Sequence, residues 1–131
     1  MNCIFGELDT KEDEQNIRII NSYEESYIKE KFFYKKEYKN EKEIKESCEI
    51  RINGKFNPFF YFYKFNKKGK YTILYIFKNY ITKTNYIFCE CSSLKNINLS
   101  NFNTNNITNM CGIFCLCSSL TNINLSNFLY Q

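Results

Sequence analysis

Apolar and charged positions alternate through Cys48-Glu49-Ile50-Arg51-Ile52, the period-two pattern of a strand with one buried face. Asn53-Gly54 follows, and both residue types accept positive φ, so a hairpin turn is predicted there. The predicted return strand runs from Phe59 to Phe65 and is almost entirely Phe and Tyr, with Pro58 at its start, where no ladder N–H is needed. A second turn at Asn66-Lys67-Lys68-Gly69 leads into Tyr71–Phe77, which completes a three-stranded antiparallel meander. Upstream, Cys3-Ile4-Phe5 is a short apolar stretch and Ile17–Ile20 predict a strand. Asn21-Ser22 then cap a helix running through Tyr23–Ile28. Residues 29–46 are dense in Lys and Glu around Phe32, Phe33 and Tyr34, a pattern that fits either a solvated helix or a loop.

Beyond residue 80 the pattern repeats. ITKTNYIFCECSSLKNINLSNFN at 81–103 returns as ITNMCGIFCLCSSLTNINLSNFL at 107–129, an offset of 26 residues with 16 of 23 positions identical. A fixed period in the twenties predicts coils that stack as a solenoid. Leu94-x-x-Ile97-x-Leu99 and Leu120-x-x-Ile123-x-Leu125 match the LxxLxL core of leucine-rich repeats. Their side chains should face inward with a local kink. Short helical turns over Asn85–Cys91 and Met110–Cys117 should close the back of each coil with Ile87/Phe88 and Ile113/Phe114.

Further motifs carry a resemblance: Cys91-Ser92-Ser93-Leu94 and Cys117-Ser118-Ser119-Leu120, Asn98-Leu99-Ser100-Asn101-Phe102 and Asn124-Leu125-Ser126-Asn127-Phe128, and the link Asn103–Met110. Over the last 50 residues or so the chain resembles the BspA-like leucine-rich repeats of bacterial and protist surface proteins. Ile87 and Ile113 stand where methionine is usual, and Glu90 and Leu116 stand where a small residue is common. The resemblance implies an interaction or surface role and brings no catalytic residues. The expected fold is α+β, mostly β: an N-terminal antiparallel β-meander cap over 1–80, with a Lys/Glu-rich helix or loop at 23–46, then a short leucine-rich-repeat solenoid with a parallel strand ladder. The solenoid repeats would be 81–106 and 107–131.

Composition narrows the chemistry. The 131 residues include no histidine, which removes the commonest general base, the Ser-His and Cys-His pairs and every His-containing metal site. The formal charge of +4 is too mild to imply nucleic acid or an anionic membrane. Only Lys83, Glu90 and Lys95 are charged among residues 81–131, so the two halves differ in character. No apolar run is long enough to span a bilayer, and the N-terminus turns acidic too soon for a secretory signal. This predicts an intracellular protein, or a cell-surface one whose true N-terminus is missing. Seven cysteines without a signal read as thiols.

Three candidate sites are outweighed by plainer readings. Cys89-x-Cys91 and Cys115-x-Cys117 offer four thiols, with Cys111 nearby, to a zinc ion or an inter-coil disulfide. They recur because the whole repeat recurs, which favours packing as small buried hydrophobes without metal. The aromatic run Phe59–Phe65, near Lys64, Lys67, Lys68 and Lys70, could stack bases, but a small β-domain needs such residues for its core. The carboxylates of 24–47 read as a solvated face rather than an acid–base pair. The polar rows Asn96, Asn98, Ser100 and Asn122, Asn124, Ser126 recur on one face of the expected ladder. They either keep it soluble or form the partner-binding face.

The expectation is therefore a non-enzymatic interaction scaffold or recognition module without cofactor or metal. Its partner would be a protein, not nucleic acid or a membrane. The alternative is an adhesin-like surface protein. The last repeat carries no polar cap, which predicts a longer array or end-to-end self-association through the last coil.

Overall fold

The computed structural model describes residues 1–27 and 34–126. Eight strands and two short helices are defined in them: β1 (Cys3–Asp9), β2 (Gln15–Arg18), α1 (Tyr23–Tyr27), α2 (Glu41–Ser47), β3 (Cys48–Ile52), β4 (Lys55–Asn57), β5 (Phe62–Phe65), β6 (Lys70–Phe77), β7 (Leu94–Asn98) and β8 (Asn122–Asn124). Six strands form a mixed sheet in the order β4-β3-β6-β1-β7-β8, and β2 pairs with β5 in a separate two-stranded sheet. All pairings are antiparallel except β7 with β8.

The chain is mostly β, but the expected meander cap and leucine-rich-repeat solenoid are not what it forms. The strand ladder belongs to a sheet. On one side β7 pairs with β8 of the second repeat; on the other it pairs antiparallel with β1, the first strand of the chain. The N-terminal strand thereby joins the repeats to β6, β3 and β4. Pairing of β1 with a strand 90 residues away depends on side-chain fit across the sheet, which no local pattern announces.

The predicted meander is corrected in the same way. The hairpin across Asn53-Gly54 is present, with φ of 50° and 82° at its two residues, but its return strand is β4, Lys55–Asn57. The aromatic strand leaves the sheet and pairs as β5 with β2, while β6 takes the free side of β3. Phe65 is buried by this arrangement and packs on Tyr71, 4.6 Å between ring centroids, so β5 becomes a second layer over the sheet.

Side chains alternate across the six strands, and one face is the core. One row crosses five strands: Ile52, Ile73, Gly6, Ile97 and Ile123 are successive register partners. Tyr75 is fully buried beside that row, and its hydroxyl donates to the Ile19 carbonyl at 2.5 Å. A Cβ on Gly6 would lie 3.4 Å from Leu94 and from Tyr75, so a bare backbone lets the row close here. Ser22 caps α1 by accepting from the Glu25 N–H at 3.1 Å. The predicted extension of α1 to Ile28, and residues 29–33 with Phe32 and Phe33, lie outside the described residues. From Tyr34 on, the Lys/Glu-rich segment contains a 3-10 turn at Lys36–Tyr38 and then α2.

The two repeats lie one on the other. Tyr86, Phe88 and Glu90 donate their backbone N–H groups to the carbonyls of Cys111, Ile113 and Cys115 at 2.7–3.1 Å. Phe88 and Phe114 stack with rings 4° from parallel. The predicted helical turns are series of tight turns, with left-handed residues recurring at the same repeat positions: Tyr86 with Gly112, and Glu90 with Leu116.

Candidate functional site

The outward face of the sheet is open. Because β7 and β8 are parallel and in register, Asn96 lies beside Asn122 and Asn98 beside Asn124. The residues of the predicted polar face are therefore brought together in pairs. Asn98 and Asn124 each turn their side chain back to accept from the backbone N–H of Ser100 and Ser126, at 2.9 and 3.0 Å. That local bond ends each strand and holds the amide at a fixed place. Ser100 and Ser126 thus stand at the strand exits, beyond the ladder itself.

What the repeat pattern does not reveal is that the face continues across the N-terminal strands. Phe5 is the register partner of Asn98, and Glu7 of Asn96. Phe5 in turn opposes Leu74, Leu74 opposes Arg51, and Arg51 opposes Phe56. One row thus runs Phe56–Arg51–Leu74–Phe5–Asn98–Asn124, with three apolar side chains, one arginine and two amides. A second runs Thr72–Glu7–Asn96–Asn122. Phe56 is 67% exposed and Phe5 37%, so the apolar half is open to solvent. Phe5, Glu7, Ile97 and Ile123 line a groove of about 350 Å³ together with the four asparagines. The alternation within Cys3–Asp9 is visible in the sequence, but its neighbour is not.

Two groups of charges on this face are paired. Arg51 donates to Glu49 at 2.7 Å and Lys78 lies 3.3 Å from the same carboxylate. The Arg51 hydrogen bond, reinforced by Lys78, holds the Glu49 carboxyl below the usual carboxylate range. Lys95 bulges out where the register shifts opposite Glu7 and Leu8, and pairs with Asp9 at 3.3 Å. The face is therefore amide and apolar at its centre, with paired ions around it. Paired ions and amides bind by hydrogen bonding and shape.

The other sequence candidates are placed elsewhere. Cys89 and Cys91 are buried, Cys117 is half-buried, and Cys111 and Cys115 are exposed. Burial, with Cys115 beside it, pushes the Cys89 thiol up to about 12, and burial pushes Cys117 up to about 11. Cys117 donates its S–H to the Phe88 carbonyl at 2.9 Å. Among the described residues no three Cys, Asp or Glu side chains are grouped closely enough to hold a metal ion. In the aromatic strand, Arg18 lies 4.3 Å over the Phe62 ring and is paired with Glu25 at 3.1 Å, so this cation is already engaged by the chain itself. Glu41 and Glu43 of the acidic run accept from Tyr61 and Thr82, which ties α2 to the body of the molecule. No described helix is long and apolar enough to cross a membrane.

Comparison with protein-family models, with curated proteins and with solved structures finds no match.

Proposed function

We propose that the chain is a non-enzymatic recognition module that binds a protein partner through the outward face of its six-stranded sheet. The observation that carries this reading is the composite row Phe56–Arg51–Leu74–Phe5–Asn98–Asn124, which sets an exposed apolar strip against in-register asparagine pairs. A sheet face that served only for solubility would not keep Phe5 in solvent beside Leu74 and Phe56 in solvent beside Arg51. Apolar side chains flanked by fixed amides, with Arg51 and Lys95 already paired, suit a protein surface that brings aromatic or aliphatic anchors and backbone or amide hydrogen bonds. The resemblance of the CSSL and NLSNF motifs to BspA-like repeats points to the same class of role.

The test is differential capture from a lysate. Phe5→Arg and Asn98→Arg place charge in the middle of the face, and both side chains point away from the core. Lys64→Glu, on the two-stranded sheet, is the control. Polypeptides retained by the wild type and by Lys64→Glu, and lost by both face variants with unchanged circular dichroism, support the proposal. An identical retained set for all four proteins overturns it.

A further inference from the structure

The second repeat ends the sheet, and its outer side is apolar. Ile123 is 41% exposed, Leu125 38% and Leu116 66%, whereas the equivalent Ile97 and Leu99 of the first repeat are buried at 2% and 0%. β8 is also an edge strand. Asn124 gives its carbonyl to the Leu99 N–H across the ladder, so by the alternation of a strand the N–H and C=O of Ile123 turn away from β7. Among the described residues nothing pairs with them.

The geometry points to a second copy of this chain as the occupant, docked tail to tail about a two-fold axis, with β8 antiparallel to β8 of the partner and Ile123 at or near the axis. Three observations fix this choice. The surface carries no charge: residues 105–126 contain no Asp, Glu, Lys or Arg, so two copies of a chain of net charge +4 meet without like charges at the seam. The alternative order, head to tail, is closed. The side of the first repeat on which another coil would stack is already taken, by β1 along β7, by the Asn21 N–H donated to the Ile87 carbonyl, and by the Asn21 side-chain amide donated to the Cys89 carbonyl, both at 2.7 Å. The other free edge of the sheet, β4, ends the same core row in Lys55, opposite Ile52, and offers no apolar continuation. Among the described residues the apolar end of the second repeat is therefore matched best by the same patch of a like copy, and that makes the contact isologous and self-limiting at two. Finally, the core row Ile52–Ile73–Gly6–Ile97–Ile123 reaches this edge unfinished, and a two-fold would continue it into the same row of the partner. The two six-stranded sheets become one, and the asparagine rows of the two copies lie side by side.

Sedimentation of the full chain from low to high micromolar concentration tests this. A reversible monomer–dimer equilibrium with no larger species is expected, and Ile123→Lys, which sets two ammonium groups near the axis, should weaken it by about tenfold or more. Asn98→Lys, one strand in from the edge, should leave it unchanged. In the wild type, amide exchange at Ile123 and Leu125 should slow as concentration rises, a readout that needs no variant to fold. Ile123→Cys oxidised in air should give a covalent dimer linked through residue 123. A monomer at every concentration, open-ended growth, or a dimer indifferent to Ile123→Lys overturns the proposal. These outcomes are independent of the capture experiment, since sedimentation and amide exchange need no other protein and Ile123 belongs to the core row at the sheet edge, not to the outward-face row.

Discussion

The two repeats have nearly the same sequence and quite different surroundings. Leu94, Ile97 and Leu99 are sealed, while Leu120 is half-buried and Ile123 and Leu125 are exposed. The difference lies in neighbours: the first repeat is held between β1 and the second repeat, and among the described residues the second pairs with the first alone. Identical LxxLxL segments therefore do different work. In one copy the leucines form the centre of the core, and in the other they form its rim. A repeat pattern specifies which side chains point inward, and the rest of the chain decides whether there is anything for them to meet.

The largest expected effect separates the two directly. Leu99→Ala removes a fully buried side chain and should destabilise by about 2–5 kcal/mol, as core leucine truncations do. Leu125→Ala, at a site 38% exposed, should cost less than about 1 kcal/mol in the monomer. Urea midpoints measured at low concentration check both. Equal shifts would mean that the rim of the second repeat is covered, and the contrast between the copies would fail.

The hairpin at Asn53-Gly54, the strands β3 and β6, the inward set Leu94, Ile97 and Leu99, and the pairing of Asn96 with Asn122 were all legible, because each follows from side-chain period or from the 26-residue offset. The single sheet was not. The position of β1 between β6 and β7 rests on contacts such as Gly6 with Ile97 and Leu94, far apart in the chain. Nor was the departure of β5, since a run of aromatics suits a core from either layer. The asparagine pairs follow from the 26-residue offset, but the apolar side chains beside them, Phe5 and Leu74, belong to strands whose neighbours only the tertiary fold determines.

Alkaline pH should distinguish the sealed copy from the open one next. Burial pushes Cys48 and Cys89 up to about 12. The folded chain thus keeps protons that the unfolded chain gives up near the ordinary thiol value. Stability from these groups is intact below about pH 8.5 and falls as pH rises towards 12, by about 1.4 kcal/mol per pH unit for each thiol that ionises only on unfolding. A series of urea midpoints from pH 7 to pH 10 should be flat and then decline, and Cys48→Ala should make the decline shallower. A midpoint that rises with pH would contradict the burial of these thiols. Alkylation of the native chain at neutral pH should reach Cys111 and Cys115 of the second repeat, and Cys89 and Cys91 of the first only on unfolding.

The turn before the CSSL motif gives a smaller contrast. Tyr86 and Gly112 hold the same left-handed conformation, at φ of 63° and 62°. A Cβ on Gly112 would lie 2.6 Å from the Tyr86 ring, so the first copy's tyrosine fills the space that a side chain in the second would need. Gly112→Ala should cost about 1–2 kcal/mol for the backbone, plus the displacement of the ring. In a Tyr86→Ala background only the backbone part should remain. A cost unchanged by removing the ring would show that the tyrosine yields freely.

The smallest effect is expected at the second left-handed position, Glu90 in one copy and Leu116 in the other, with φ of 62° and 60°. A non-glycine residue there carries a strain of about 1–2 kcal/mol, and glycine relieves it while adding about 0.5–1 kcal/mol of unfolded-chain entropy. At Leu116, 66% exposed, little packing is lost, so Leu116→Gly should stabilise the monomer by up to about 1 kcal/mol. Glu90 sits between the repeats, where its N–H donates to the Cys115 carbonyl at 2.7 Å and its side chain is partly buried. Glu90→Gly gains the same relief but loosens a strand-like contact on both sides, and its net effect should be nearer zero. Thermal midpoints at low micromolar concentration, where association is negligible, measure both. A loss of stability at Leu116→Gly larger than that at Glu90→Gly would show that Leu116 is packed within its own chain, and the second repeat would then be no more open than the first.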